Sequence, residues 1–168
     1  MNRLLLVLLL LSACFAGCKN TNDVPAQIRA QLAVDNKIIT AYLASGDIKA
    51  TAVDSAGVAT GIYYIIDTAT TGKDLYTSST QIVVGYSATL LTTGKVVIST
   101  DKFHPSYVLG ATIRGWQLGI AASKAQVGSR IRLFVPSHYA YGPFSQPDLG
   151  LPANAILIFD IKIYNIVN

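Results

Sequence analysis

The sequence predicts an α+β fold: an antiparallel β-sheet wrapped around one short helix, with a further helix and a hairpin on the N-terminal side. Three observations carry this. From Gln81 onward the chain is dense in short β-rich segments separated by turn residues. Only one later segment, residues 115–125, breaks that pattern with helical character. The resulting order of strands, one helix and strands again is that of a sheet packed on a single helix, not of alternating βαβ units.

The elements follow in order. Met1-Asn2-Arg3 is a short, positively charged start, and residues 4–11 are an unbroken apolar run. A run of that length falls short of the roughly 20 residues that a membrane-spanning helix needs, so it reads as the core of a secretory signal. Residues 19–25 are polar and read as a tether. A helix is expected over 26–44, where Ile28 and Leu32, Ile38 and Tyr42, and Ile39 and Leu43 each recur four apart. Ser45-Gly46-Asp47 stops it. Two strands, 48–53 and 58–67, flank the turn residues Asp54-Ser55-Ala56-Gly57. Further strands are expected at 82–91, 96–99, 107–109, 130–136 and 155–167, with the helix of 115–125 ending before Gly128. The organisation read from this is a signal peptide over 1–18, a tether with helix and hairpin over 19–75, and the main domain over 76–168.

Composition removes several chemistries. The formal charge of +4 comes from scattered Lys and Arg, and all nine acidic residues are Asp. Arg130 and Arg132 alternate with Ile131 and Leu133, as on the solvated face of a strand, so no nucleic-acid partner is expected. Only two histidines, His104 and His138, are present, both in loop-like surroundings and with no cysteine nearby, so no metal site is expected. There is no phosphate-binding glycine loop and no Gly-x-Ser-x-Gly elbow, and no cofactor is implied. An enzyme built on this inventory works without proton transfer or a metal.

Both cysteines lie in the leader, so the domain contains no disulfide. Leu11-Ser12-Ala13-Cys14 and Phe15-Ala16-Gly17-Cys18 both resemble the bacterial lipobox, in which small residues precede a cysteine that is acylated and becomes the new N-terminus. Cys14 has the more usual leucine three places before it, whereas Cys18 leaves a longer leader. Several acyl chains on one cysteine anchor stably where a single chain does not. The reading is an extracytoplasmic protein of the cell envelope, lipid-anchored to a bacterial membrane, most naturally the outer one. The alternative is an ordinary cleaved signal peptide with incidental cysteines. Nothing in the sequence specifies an oligomeric state.

Four ordered blocks point to a family. Val83-Val84-Gly85-Tyr86 with Gly94-Lys95 comes first. Leu109-Gly110-Ala111-Thr112-Ile113-Arg114-Gly115-Trp116 follows, with Gly119 closing the block. Val127-Gly128 leads to Val135-Pro136-Ser137-His138-Tyr139-Ala140-Tyr141-Gly142, and the last block is Leu151-Pro152-Ala153-Asn154-Ala155 with Phe159-Asp160. In order and spacing these resemble the FKBP-type peptidyl-prolyl cis-trans isomerases, over about half the chain. The resemblance implies an FKBP-like sheet around its one helix and an apolar aromatic pocket that binds the X-Pro bond of a polypeptide substrate. On that basis Trp116 is the pocket floor, Tyr86 and Phe159 are walls, and Tyr141 offers its hydroxyl to a substrate carbonyl. The Ile113 N–H is a second donor, with Val97, Ile98, Val135 and Leu151 in the substrate-binding set. Taken singly, each has a plainer reading: Trp116, Tyr86 and Phe159 as core aromatics, and Tyr139-Ala140-Tyr141-Gly142 as a turn.

The chain departs from the family's pattern in the loop before Gly94, about one residue longer than usual, in residues 119–128, about two residues longer, and, most consequentially, after Gly94-Lys95. Where the family carries Phe-Asp shortly after Gly-Lys, this chain has Val97-Ile98, and the nearest aspartate is Asp101. Val97 keeps an apolar wall but a smaller one, and Ile98 removes a charged acceptor. Three functions fit this pattern. One is a prolyl isomerase acting on exported proteins, with turnover reduced by the missing pair. Another is a weakly catalytic FKBP-like chaperone or proline-peptide binding module. A structural lipoprotein using the sheet as a scaffold is a third.

Overall fold

A computed structural model describes residues 25–100 and 102–168. The leader, Cys14, Cys18, residues 19–24 of the expected tether and Asp101 lie outside the described residues.

Helix α1 spans Ala26–Ser45 and is followed by β1 (Thr51–Ser55) and β2 (Val58–Thr68). Next come β3 (Gln81–Leu90), β4 (Val96–Ser99) and β5 (Ser106–Val108). Helix α2 (Arg114–Ser123), β6 (Arg130–Val135) and β7 (Leu157–Val167) complete the order. The seven strands form one sheet in the order β1-β2-β6-β7-β3-β4, with β5 also on β3. Every pairing is antiparallel. The free edge of β3 is shared: Gln81–Val83 pairs with β5, and Ser87–Thr89 pairs with β4.

The period-2 alternation of the strands sorts side chains to two faces. Ile131, Leu133 and Val135 of β6, with Leu157, Phe159, Ile161 and Ile163 of β7, join Trp116 and Ile120 of α2 in the main core. The other face of the same strands carries Phe134 and Ile158, which meet Ile39 and Leu43 of α1 in a smaller cluster. Farther along that outer face the residues are polar. Arg130 donates twice to Asp160, at 2.7 and 2.9 Å, and Arg132 lies 3.3 Å from Asp67. The expected solvated arginine face is thus an ion-paired one.

Helix α1 and the β1–β2 hairpin occupy the positions expected of the N-terminal extension, and the hairpin adds its strands to the sheet beside β6. The sheet therefore runs through the boundary drawn between residues 75 and 76, since β2 and β3 belong to it on either side. The hairpin turn is Ala56-Gly57, both with positive φ (51° and 77°), the geometry that matches the twist of paired strands.

Strand and helix ends differ from expectation by up to three residues. β1 begins at Thr51 because Ile48 and Ala50 pack into the outer cluster before pairing starts. α2 ends at Ser123, where the Ser123 hydroxyl donates to the Ile120 carbonyl and Lys124 turns left-handed (φ 51°). The buried Gln126 then bridges away: its amide oxygen accepts from the Asp74 N–H and its amide nitrogen donates to the Asp74 carbonyl.

Candidate functional site

A cleft opens between the N-terminal end of α2 and the concave face of the sheet. It encloses about 210 Å³ and is lined by Tyr86, Ile98, Tyr107, Ala111, Thr112, Ile113, Trp116, Tyr141 and Phe159. At that size it falls below the roughly 300–1,000 Å³ of sites for drug-sized molecules and suits one small ring with its neighbouring peptide groups.

Two glycines on one face of α2 set the depth of its floor. A Cβ on Gly115 would stand 2.4 Å from Val135 Cγ1, and one on Gly119 would stand 2.9 Å from Leu133 Cδ2. Only side-chain-free positions let the helix lie this close to β6. Four residues apart, the two share a helix face, and Trp116, between them in sequence, is turned to the cleft. The turn before α2 is held by the Thr112 hydroxyl donating to the Leu109 carbonyl (2.7 Å) and by the Gln117 amide donating to the Thr112 carbonyl (2.8 Å).

Around Trp116 the aromatic rings stand edge to face. Tyr86 lies at 4.8 Å, Phe159 at 5.5 Å and Tyr107 at 6.0 Å between centroids, all near perpendicular. Such pairs are worth about 0.5–1.5 kcal/mol each beyond the area they bury, so the floor is stiff. The Trp116 indole N–H is buried without a hydrogen-bond partner among the described residues. An unpaired buried donor costs about 1–3 kcal/mol.

Among the described residues no charged side chain lines the cleft. Its polar groups are tyrosine and threonine hydroxyls and the free end of the backbone at Ile113, whose N–H has no acceptor among the described residues. Burial, and then its contact with the Tyr107 hydroxyl 3.4 Å away, push the Tyr86 phenol well above its ordinary range. Burial, and then Tyr107, push Tyr141 up as well. Both phenols therefore stay protonated, and remain donors, to higher pH than a free tyrosine. Outside the cleft, Tyr76 is raised by burial and then by Asp74, and its hydroxyl donates to the Ala125 carbonyl at 2.6 Å.

Of the residues singled out from sequence, Tyr86, Trp116, Tyr141, Phe159, Ile98 and Ile113 meet on this cleft. Val135 and Leu151 do not: both are buried in the main core, Val135 behind the close approach of Gly115. Val97 is half-buried against that core but does not line the cleft. It is the extra residue of an irregularity in β4, where Ala88 faces Ile98 and Thr89 faces Val96. Tyr107, Ala111 and Thr112 were missed. The available signal for Tyr107 was alternation, since Tyr107 and Leu109 turn inward around the exposed Val108.

Residues 72–164 match the family model described as FKBP-type peptidyl-prolyl cis-trans isomerase. FK506-binding protein 4 of Chaetomium thermophilum is 43% identical over 79 residues, which are 45% of this chain and 16% of that protein. The FKBP-type peptidyl-prolyl cis-trans isomerase FkpA of Buchnera aphidicola is 35% identical over 109 residues, 64% of this chain and 42% of that protein. The chain thus spans less than half the length of either relative. The crystal structure of a peptidyl-prolyl cis-trans isomerase from Pseudomonas syringae pv. tomato superposes with a TM-score of 0.65, covering 87% of this chain and 98% of that one at 23% identity. At that identity the likeness concerns the fold.

Proposed function

The chain belongs to the FKBP-type peptidyl-prolyl cis-trans isomerases, a family of enzymes, and from that premise we propose that it isomerises X-Pro bonds of exported polypeptides in the cleft over Trp116. The observation that carries the reading is a cleft lined by five aromatic side chains, with no charged group among the described residues of its wall. Rotation about an X-Pro amide is slow because resonance gives the C–N bond partial double-bond character. The planar ground state is charge-separated, and the twisted transition state less so. An apolar wall favours the twisted form, and catalysis needs no more than that difference in binding.

The proline ring sits on Trp116, between Tyr86 and Phe159. Ile98 closes the side where a family member carries its carboxylate. The Tyr141 hydroxyl and the Ile113 N–H hold carbonyls of the substrate chain next to the rotating bond. Each hydrogen bond of this kind contributes about 0.5–1.5 kcal/mol, and about 1.4 kcal/mol is a tenfold change in rate.

The protein acts outside the cytoplasm, anchored through acylated Cys18 or Cys14 to a bacterial membrane, the outer one being the expected host. The lipobox-like sequences support this. Labelling with a radioactive fatty acid in cells expressing the full chain tests it. Label lost on either Cys18→Ser or Cys14→Ser alone identifies the anchor, and an unlabelled wild-type chain overturns it.

One observation favours a second reading. Ile98, where the family's charged acceptor is expected, lies on the cleft wall, so the pocket binds proline segments and turns them over slowly. The rate of cis-to-trans conversion of a proline peptide, with full-length protein in detergent, separates the two. Acceleration over the uncatalysed tens of seconds supports the enzyme. Peptide binding without acceleration supports the binding module.

A further inference from the structure

Helix α1 lies on the face of the sheet opposite the cleft, yet one of its side chains reaches the segment that carries Tyr141. Asp35 is 1% exposed, and so is Ser137. The Asp35 carboxylate oxygen Oδ2 accepts hydrogen bonds from the Ser137 N–H at 2.8 Å and from the Ser137 hydroxyl at 2.6 Å. Its other oxygen accepts from the Gln31 amide at 2.7 Å, one turn earlier on the same helix. A buried carboxylate is tolerated only when its lone pairs are met, and here three donors meet them.

Ser137 is also the residue from which the Tyr141 segment hangs. Its carbonyl accepts from the Ala140 N–H at 3.0 Å and from the Gly142 N–H at 2.8 Å. Those two donors flank Tyr141 in sequence, and the Gly142 carbonyl is tied in turn to the Asn154 N–H at 3.0 Å. The route from α1 to the cleft is therefore short and wholly hydrogen-bonded: Asp35, Ser137, then both neighbours of Tyr141.

We infer that Asp35 is a positioning residue for Tyr141, so that α1 is part of the working site and not a spacer. The inference rests on the prolyl-binding reading of the cleft. The carboxylate acts as a double acceptor and its charge is incidental. An asparagine can offer one oxygen to both Ser137 donors while Gln31 turns its amide to match. An alanine leaves both donors buried and unpaired.

The test is a double-mutant cycle on the full-length chain, with Asp35→Ala, Tyr141→Phe and both together. Turnover of a proline peptide and its binding, followed by the fluorescence of the single tryptophan at the cleft floor, are both read on protein shown to be folded by circular dichroism. Asp35→Ala is expected to lower kcat/KM about tenfold in the wild-type background and less than twofold beside Tyr141→Phe. Asp35→Asn recovers the rate to within about threefold of wild type. Equal losses in the two backgrounds overturn the inference, because Asp35 then supports the fold and not Tyr141. So does a loss in Asp35→Asn as large as in Asp35→Ala. If Asp35→Ala does not fold, Ser137→Ala removes one of the two bonds and runs in the same cycle. If the wild-type chain binds peptide without turning it over, the isomerase reading fails on its own, and the cycle is decided on binding.

Discussion

The two faces of the sheet are built differently. Among the described residues, the inner face, under α2, gathers seventeen buried hydrophobic residues into one cluster, among them Phe159, Leu133 and Ile131. The outer face, under α1, gathers five, and gives way along the same strands to the Arg130, Asp160 and Arg132 ion pairs. The inner face holds the fold and shapes the cleft from stiff aromatic contacts. The outer face holds a helix by a thin apolar contact and a buried carboxylate. Stability and function are thus distributed unevenly: the apolar side supplies the cleft's floor, and the polar side reaches its rim through Ser137.

Cavity mutations test that contrast most severely. Ile120 under α2 and Ile39 on α1 are both fully buried, so they lose the same transfer free energy on truncation. They differ in how far their surroundings can collapse. Ile120→Ala is expected to cost about 4–5 kcal/mol and Ile39→Ala about 2–3 kcal/mol, measured by urea unfolding of each variant. Equal losses would erase the distinction between the faces.

A smaller effect concerns pH. With Tyr86 and Tyr141 raised and no carboxylate or histidine among the described residues of the cleft wall, both phenols keep their protons to higher pH than a free tyrosine, whose ordinary value is about 10. Turnover is expected to be flat between about pH 5 and 9. Ile98→Asp sharpens the point. It puts a carboxylate on the wall, and turnover should then acquire a step in the acid range, displaced above the usual carboxylate value of about 4 by the apolar surroundings. An unchanged profile would mean that position 98 does not face the bound peptide.

The smallest effect lies on the polar outer face. Asp160→Asn removes the negative charge and one of the two oxygens that accept from Arg130, whose side chain is 54% exposed. It should cost less than about 1 kcal/mol, and less still in high salt. A cost comparable to that of Ile39→Ala would show that the ion pairs, not the apolar contacts, hold that face together.

Much of the fold was legible in the sequence because its signals are local. Alternation in Ile131, Leu133 and Val135 and in Leu157, Phe159 and Ile161 fixes which side chains turn inward. The spacing of Ile39 and Leu43 marks the buried stripe of α1. The ordered blocks around Trp116 and Tyr141 located the cleft residues on their elements. Val135 and Leu151 are expected at the cleft because the family resemblance implies a set of residues around the pocket, and a motif does not say whether each residue there is open to the pocket or covered. Whether it is covered depends on where α2 comes to rest, which Gly115 and Gly119 decide through contacts with another strand.

What the sequence by itself determined is the order and type of the elements, through periodicity, and, through the ordered motif blocks and the resemblance they carry, the family and the apolar, aromatic character expected of the cleft. Only the tertiary structure decided that Tyr107 joins the cleft, that Val97 stands aside from it, and that Asp35 meets Ser137 across 102 positions of chain. A pairing at that separation leaves no periodic trace in the sequence. It exists because the sheet brings β6 beneath α1, and a buried carboxylate must then find its donors wherever the fold has put them.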